Sequence, residues 1–171
     1  AMSHVLAIDP GMSTGITHME YIIGERPTIT AQWQIEGGLA GLREHETGGG
    51  FDGFGATIVC ERFTPRPVAF SYSLDELEPL RIEGWLTEIF WGDDIVWQDP
   101  PQRKLVRTLS ETEKFLQAHN YWATGTDVGC KDANDANSAT MHALAYIRNQ
   151  AHRATIDMLI EYGENMTEGL V

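Results

Sequence analysis

VLAIDPGMSTGI, residues 5–16, runs from aliphatic residues into a lone acid, a proline and two glycines. The apolar run predicts a strand, and Asp9 at its end breaks the pattern. A carboxylate at the end of a buried strand costs stability unless something partners it. A metal ion, a phosphate-cradling turn or a plain structural cap would each serve. The rest of the chain decides between them.

The chain has 171 residues, enough for one domain with a sizeable core. Residues 1–163 read as that domain and 164–171 as a flexible tail. Hydrophobic residues make up 42%, which predicts a folded protein rather than a disordered one. No run approaches the roughly 18 apolar residues of a membrane span. No charged-then-apolar secretion signal opens the chain, so a cytoplasmic location is expected. Ala1 ahead of Met2 reads as a remnant of tag removal. Cys60 and Cys130 are too few for a disulfide framework and lack zinc-site spacing. Cys60 lies in an apolar run and reads as a small core residue.

Net charge is −13, which at first sight argues against a nucleic-acid partner. Acids gathered for divalent cations would inflate that count, however. Basic residues also collect locally, as Arg62 with Arg66, then Arg103, Lys104 and Arg107, then Lys131. Charge alone decides nothing.

Residues 3–9, 14–23 and 28–36 predict three strands with short connections, hence an antiparallel meander. A short helix in GGLAGLREHE and a flexible loop, GGGFDGFG, come next. ATIVCE, 56–61, is a fourth strand that again ends in an acid. FTPRPVAFSYS reads as a loop, and Ser73 with Glu76 forms an S-x-x-E box that predicts a helix to about Phe90. DIVWQ, 94–98, is a fifth strand, and PPQRKLVRT one or two helical turns. Ser110 with Glu113 predicts the next helix start, and residues 131–154 a long Ala-rich helix. The order implies an α/β fold, a mixed five-stranded sheet flanked by helices.

Acids thus fall at three informative points. Asp9 and Glu61 each end an apolar strand, and the first and fourth strands can lie side by side. Asp132 and Asp135 have the i, i+3 spacing that places both on one helix face. Ala139, His142, Ala143 and Tyr146 continue that face, and small residues there permit close approach to a sheet. Four carboxylates near one point repel and raise one another's pKa values. Divalent cations resolve that cost, and an all-oxygen set suits Mg²⁺ or Mn²⁺. Two such ions hydrolyse phosphodiesters by activating water and stabilising the departing oxygen. Taken singly, an Asp after a strand is most often a turn former, and one at a helix start complements the dipole.

IDPGMSTG, then VCERF, then KDANDA before an Ala-rich helix resembles the RuvC family of Holliday junction resolvases, particularly its phage-encoded branch. The resemblance spans nearly the whole chain and implies an RNase H-like fold. It implies two Mg²⁺ or Mn²⁺ ions per site, with Asp9 bridging them, Glu61 ligating one, and Asp132 and Asp135 completing the site. It also implies a homodimer acting on four-way junctions, in the bacterial host cytoplasm if phage-encoded. QRKLVRTLSETEK resembles the family's segment with two phosphate-contacting lysines, so Lys104 and Lys114 take that role. Arg62, Arg66, Arg103, Arg107 and Lys131 are further candidate DNA contacts.

Two features depart from the pattern. The family's Ala-Leu-Ala follows its second helical acid; here it follows His142, which makes His142 the second choice as a ligand. A histidine on an apolar face is more often a packed core residue. The family's base-stacking aromatic lies just past the catalytic Glu; Phe63 is near that offset, with Phe70 and Tyr72 as substitutes. The tryptophans at 33, 85, 91, 97 and 122 read as core.

Other readings stay open. DPGMSTG also resembles the first phosphate loop of actin-like and sugar-kinase-type nucleotide binders, with TDVG at 126–129 as the second. Such proteins need two domains of this kind, and 171 residues supply about one. A non-catalytic DNA-binding relative is a third reading, opposed by the intact acids. Within nucleases, the carboxylates do not separate junctions from flaps, forks or RNA–DNA hybrids.

Overall fold

The computed structural model describes residues 1–49, 55–66, 71–91 and 93–152. Strand β1 (Ser3–Asp9) pairs antiparallel with β2 (Ser13–Tyr21), and β2 antiparallel with β3 (Thr28–Glu36). Strand β4 (Thr57–Glu61) lies parallel to β1 on its other side, and β5 (Val96–Gln98) parallel to β4. The order β3-β2-β1-β4-β5 is the predicted mixed five-stranded sheet with an antiparallel leading meander. A parallel neighbour cannot be reached by a tight hairpin. The crossovers contain α1 (Gly38–Thr47) before β4 and α2 (Glu78–Ile89) before β5.

Side chains alternate between the faces of a strand, so each strand feeds two cores. Leu6, Ile8, Ile16, Ile58 and Cys60 pack beneath Leu39 and Leu42 of α1 and Ile82 and Leu86 of α2. Val5, Ala7, Met19 and Val59 face the other way, onto α3 (Leu109–Ala118) and α5 (Asn134–Ile147). One turn of helix, α4 (Gly125–Val128), lies between α3 and α5. Ala139, Ala143 and Leu144 put α5 in the centre of the second core. Among the described residues no helix is long and apolar enough to cross a membrane.

Three helix starts differ from the sequence expectation. The Ser73–Glu76 box forms, with Ser73 N–H donating to Glu76 Oε2 at 2.7 Å, but it closes a turn. Pro79 has no N–H to continue the ladder back to Asp75, so α2 begins at Glu78. Helix α3 is capped by Thr108 with Glu111, two residues before the Ser110–Glu113 pair. The Thr112 hydroxyl explains the earlier start: it accepts from the N–H groups of Leu105 and Val106, tying the first turn to the preceding segment. Helix α5 begins at Asn134 rather than at residue 131, so Asp132 precedes the helix instead of sharing a face with Asp135. There its carboxylate accepts the Asn134 N–H at 3.1 Å, a local bond that competes with helix. Trp91 follows the C-cap of α2 and is 83% exposed, so it is no core residue. The expected loop at 50–54, Phe70, the end of the last helix past residue 152 and the tail lie outside the described residues.

Candidate active site

Register brings the first two acids together. Ile8 pairs with Cys60 across β1 and β4, so Asp9 and Glu61 are the next residues on neighbouring parallel strands, at one edge of the sheet. Alternation puts both on the face of Val5, Ala7 and Val59, which is the face α5 covers.

The third acid arrives with α5, whose first turn lies against β2. A Cβ placed on Gly15 would fall 1.9 Å from the carbonyl oxygen of Asp135 and 2.4 Å from the Ala136 nitrogen. Only glycine permits that approach. Polar side chains of β2 and β3 then fix the helix. Thr17 Oγ1 lies 2.8 Å from Thr140 Oγ1, and Gln32 Nε2 donates to Thr140 Oγ1 at 2.9 Å. Buried Gln34 clamps the helix start: its Oε1 accepts from Asp135 N–H (3.1 Å) and Ala136 N–H (3.2 Å). Its Nε2 donates to the carbonyl of Asp132 at 2.8 Å. A side chain from another strand thereby satisfies N–H groups that a helix leaves unpaired.

Charge is under-compensated here. Burial, then Glu61, then Asp135 push the Asp9 carboxyl up to about 7, against the pull of the Ser138 hydroxyl and the Arg103 guanidinium. Burial is also the main cause that raises Asp135, with Asp132, Glu36 and Glu61 adding to it and the Ser13 hydroxyl opposing. Asp132 behaves differently. It is exposed, and the Asn134 N–H and Gln34 amide hold it below its ordinary value. The structure thus gathers Asp9, Glu61 and Asp135, and leaves Asp132 at the rim as a partner of the helix start.

Glu61 Oε2 faces two donors. His142 Nε2 approaches to 2.6 Å and Arg103 Nη1 to 3.4 Å. Arg103 Nη1 also donates to Ser138 Oγ at 2.9 Å. His142 is fully buried, and its Nδ1 lies 2.5 Å from Oε1 of buried Gln98. Beside the acids opens a cleft of about 210 Å³, lined by Asp9, Arg103, Asp135 and Ser138 among others.

Among the described residues, no three His, Cys, Asp or Glu side chains converge closely enough to hold a metal ion as they stand. Glu61 turns its Oε2 to His142 and Arg103, and Asp132 turns to the helix start. The donor set nevertheless fits a hard divalent cation in chemistry. It is all carboxylate oxygen, and two of the acids are raised above their ordinary pKa, first by burial and then by their acidic neighbours, a cost that a bound cation would offset.

Lys104, Lys114 and Lys131 are exposed at the surface. Arg107 pairs with Glu111 at 3.3 Å, and Arg66 pairs with Glu76 at 2.9 Å while stacking over Tyr72. Arg62 lies over the Trp97 ring at 5.9 Å. Phe63 is half-buried, edge-on to Tyr72 at 5.9 Å, with its N–H donated to Glu83 Oε1. Sequence reasoning missed Gln34, Gln98 and Ser138. Two signals were legible: Gln32 and Gln34 put polar groups on the inward face of β3, and Gln98 is a third polar residue ending a parallel strand.

No protein-family model matches the chain, and no curated protein does. Solved structures share its fold. RuvC of T. thermophilus in complex with a Holliday junction substrate superimposes with a TM-score of 0.54 at 14% identity, over 87% of this chain and 97% of that one. Fowlpox virus resolvase in complex with substrate Holliday junction DNA gives 0.53 at 10% identity, over 86% and 99%. The chain therefore shares the fold of these two structures, a mixed five-stranded sheet flanked by helices.

Proposed function

We propose that the chain is a divalent-metal-dependent endonuclease that resolves Holliday junctions or other branched DNA, with Asp9, Glu61, Asp132 and Asp135 as its metal-binding acids. One observation carries the reading: Asp9 and Glu61 end adjacent parallel strands opposite Asp135, with Asp9 raised to about 7 by burial and its acidic neighbours. A purely structural cap needs no such gathering of carboxylates. The shared fold supports the substrate class, because both solved relatives are held with junction DNA.

Asp9, Glu61 and Asp135 would hold two Mg²⁺ or Mn²⁺ ions, with Asp132 completing the set from the rim. Bound there, such ions supply an activated water and stabilise the departing oxygen. The residues themselves orient the substrate. Arg103, poised between Glu61 and Ser138, suits a phosphate once the acids have their countercharge. Lys104, Lys114 and Lys131 would contact the backbone, and Phe63 or Tyr72 would stack on unpaired bases. In-line hydrolysis leaves a 3′-hydroxyl and a 5′-phosphate. A homodimer would set two such sites on opposed strands of a junction. The test is a panel of labelled junction, flap, fork, hybrid and linear substrates with each metal, comparing the parent chain with Asp9→Asn and Glu61→Gln. Metal-dependent cleavage of branched DNA that either substitution abolishes is the expected result.

A further inference from the structure

We infer that His142 is a positioning residue for Glu61: locked by Gln98 through Nδ1, it fixes Oε2 of the carboxylate and leaves Oε1 to serve the ion. The inference rests on the proposed function, since it concerns how that site presents one of its acids.

The geometry joins three elements. His142 sits in the middle of α5, Glu61 ends β4 and Gln98 ends β5. The imidazole bridges the last residues of two adjacent parallel strands, 2.6 Å from Glu61 Oε2 and 2.5 Å from Gln98 Oε1. Its ring has no exposed surface, and Gln98 is 3% exposed, so water does not compete for either nitrogen. An ionised carboxylate can only accept, so Nε2 carries the hydrogen in that bond; Nδ1 then either donates a second hydrogen to Gln98 Oε1 or accepts one from the Gln98 amide turned over, and either arrangement fixes the ring. Gln98 is itself anchored, because its main-chain oxygen accepts the Arg62 N–H at 2.8 Å. With both nitrogens engaged, His142 has none to offer an ion directly.

Both contacts to Glu61 fall on one oxygen. Arg103 reaches Oε2 only at 3.4 Å and is shared with Ser138, so the short histidine bond is the one that sets the carboxylate's orientation. A glutamate has three torsions to fix, and an unsupported one samples poses that point both oxygens away from a ligand. Hydrogen bonds that orient metal ligands in this way are typically worth about 10- to 100-fold in metal affinity.

The test titrates Mn²⁺ alone, by calorimetry, into the full chain and three variants, with thermal melting and steady-state cleavage of a four-way junction alongside. His142→Leu should weaken Mn²⁺ binding about 10-fold or more. It should lower kcat at saturating DNA with KM for the junction unchanged. His142→Gln, whose amide Nε2 can reach the same carboxylate oxygen, should recover affinity to within about threefold. Gln98→Leu, which unlocks the ring but leaves it in place, should fall between. Parent-level Mn²⁺ affinity in His142→Leu overturns the inference. If that variant does not fold, parent-level affinity in Gln98→Leu overturns it. A parent chain that neither binds Mn²⁺ nor cleaves overturns the nuclease reading and this inference with it. A parent that does both, with variants equal to it, overturns the inference alone.

Discussion

Gly15 of β2 and Asp135 of α5 meet backbone to backbone, so closely that a Cβ on Gly15 would lie 1.9 Å from the Asp135 carbonyl oxygen. The second glycine of the opening stretch thus lets the helix bring an acid to the sheet. Gly15→Ala must push α5 outward. A loss of about 3 kcal/mol in urea unfolding is expected, the upper end for an overpacked core. Metal-dependent activity should fall further than stability does, because Asp135 moves with the helix.

Asp9 makes the metal-free protein sensitive to pH. Its carboxyl is raised from 3.8 to about 7, chiefly by burial. The folded chain therefore retains a proton that the unfolded chain has released between about pH 4 and pH 7. By linkage, the stabilisation is fully present below the lower value and is lost as pH rises through the upper one. Asp9→Asn removes that loss. In chelator, the variant should exceed the parent at pH 8 by about 4 kcal/mol, the rise from 3.8 to about 7 taken at about 1.4 kcal/mol per pH unit, and lose its advantage by pH 4. Equal melting temperatures at pH 8 would show that Asp9 is already compensated. The same proton must leave before an ion binds, so Mn²⁺ affinity in the parent should rise with pH toward 7 and level off above it.

Gln34 tests the clamp on the helix start. Gln34→Leu keeps the volume but leaves the Asp135 and Ala136 N–H groups without their acceptor. A stability loss of about 2 kcal/mol is expected, in the range for stranded buried polar groups. Amide hydrogen exchange should quicken at residues 135 and 136 while the centre of α5 keeps its protection. Unchanged exchange at those two amides would remove Gln34 from this role.

The strands and the leading meander were legible because each apolar run is bounded by Gly, Pro or charged residues, and the meander connections are short; the place of β5 beside β4 was not. Asp9 and Glu61 were legible because an acid ending an apolar run violates the burial pattern. Asp135 lies on the last helix as expected, but the supposed partnership with Asp132 on one helix face does not form, because the Asp132 side chain accepts the Asn134 N–H and defers the helix. Thr108 and Ser110 both fit a capping template, and the choice turned on Thr112 contacts with a segment outside the helix. The partners of His142 depend on which side chains the register of β4 and β5 brings beneath α5. No spacing along the chain encodes that.

The proposed function requires Asp9 and Glu61 to hold catalytic ions for cutting branched DNA. It is tested most directly by following a labelled four-way junction with and without Mg²⁺, using the parent chain, Asp9→Asn and Glu61→Gln. The account predicts Mg²⁺-dependent cleavage to a 5′-phosphate product in the parent. It predicts a loss of about a thousandfold in either variant, roughly 4 kcal/mol of transition-state stabilisation, with junction binding and folding retained. Cleavage by Asp9→Asn at the parent rate would contradict it.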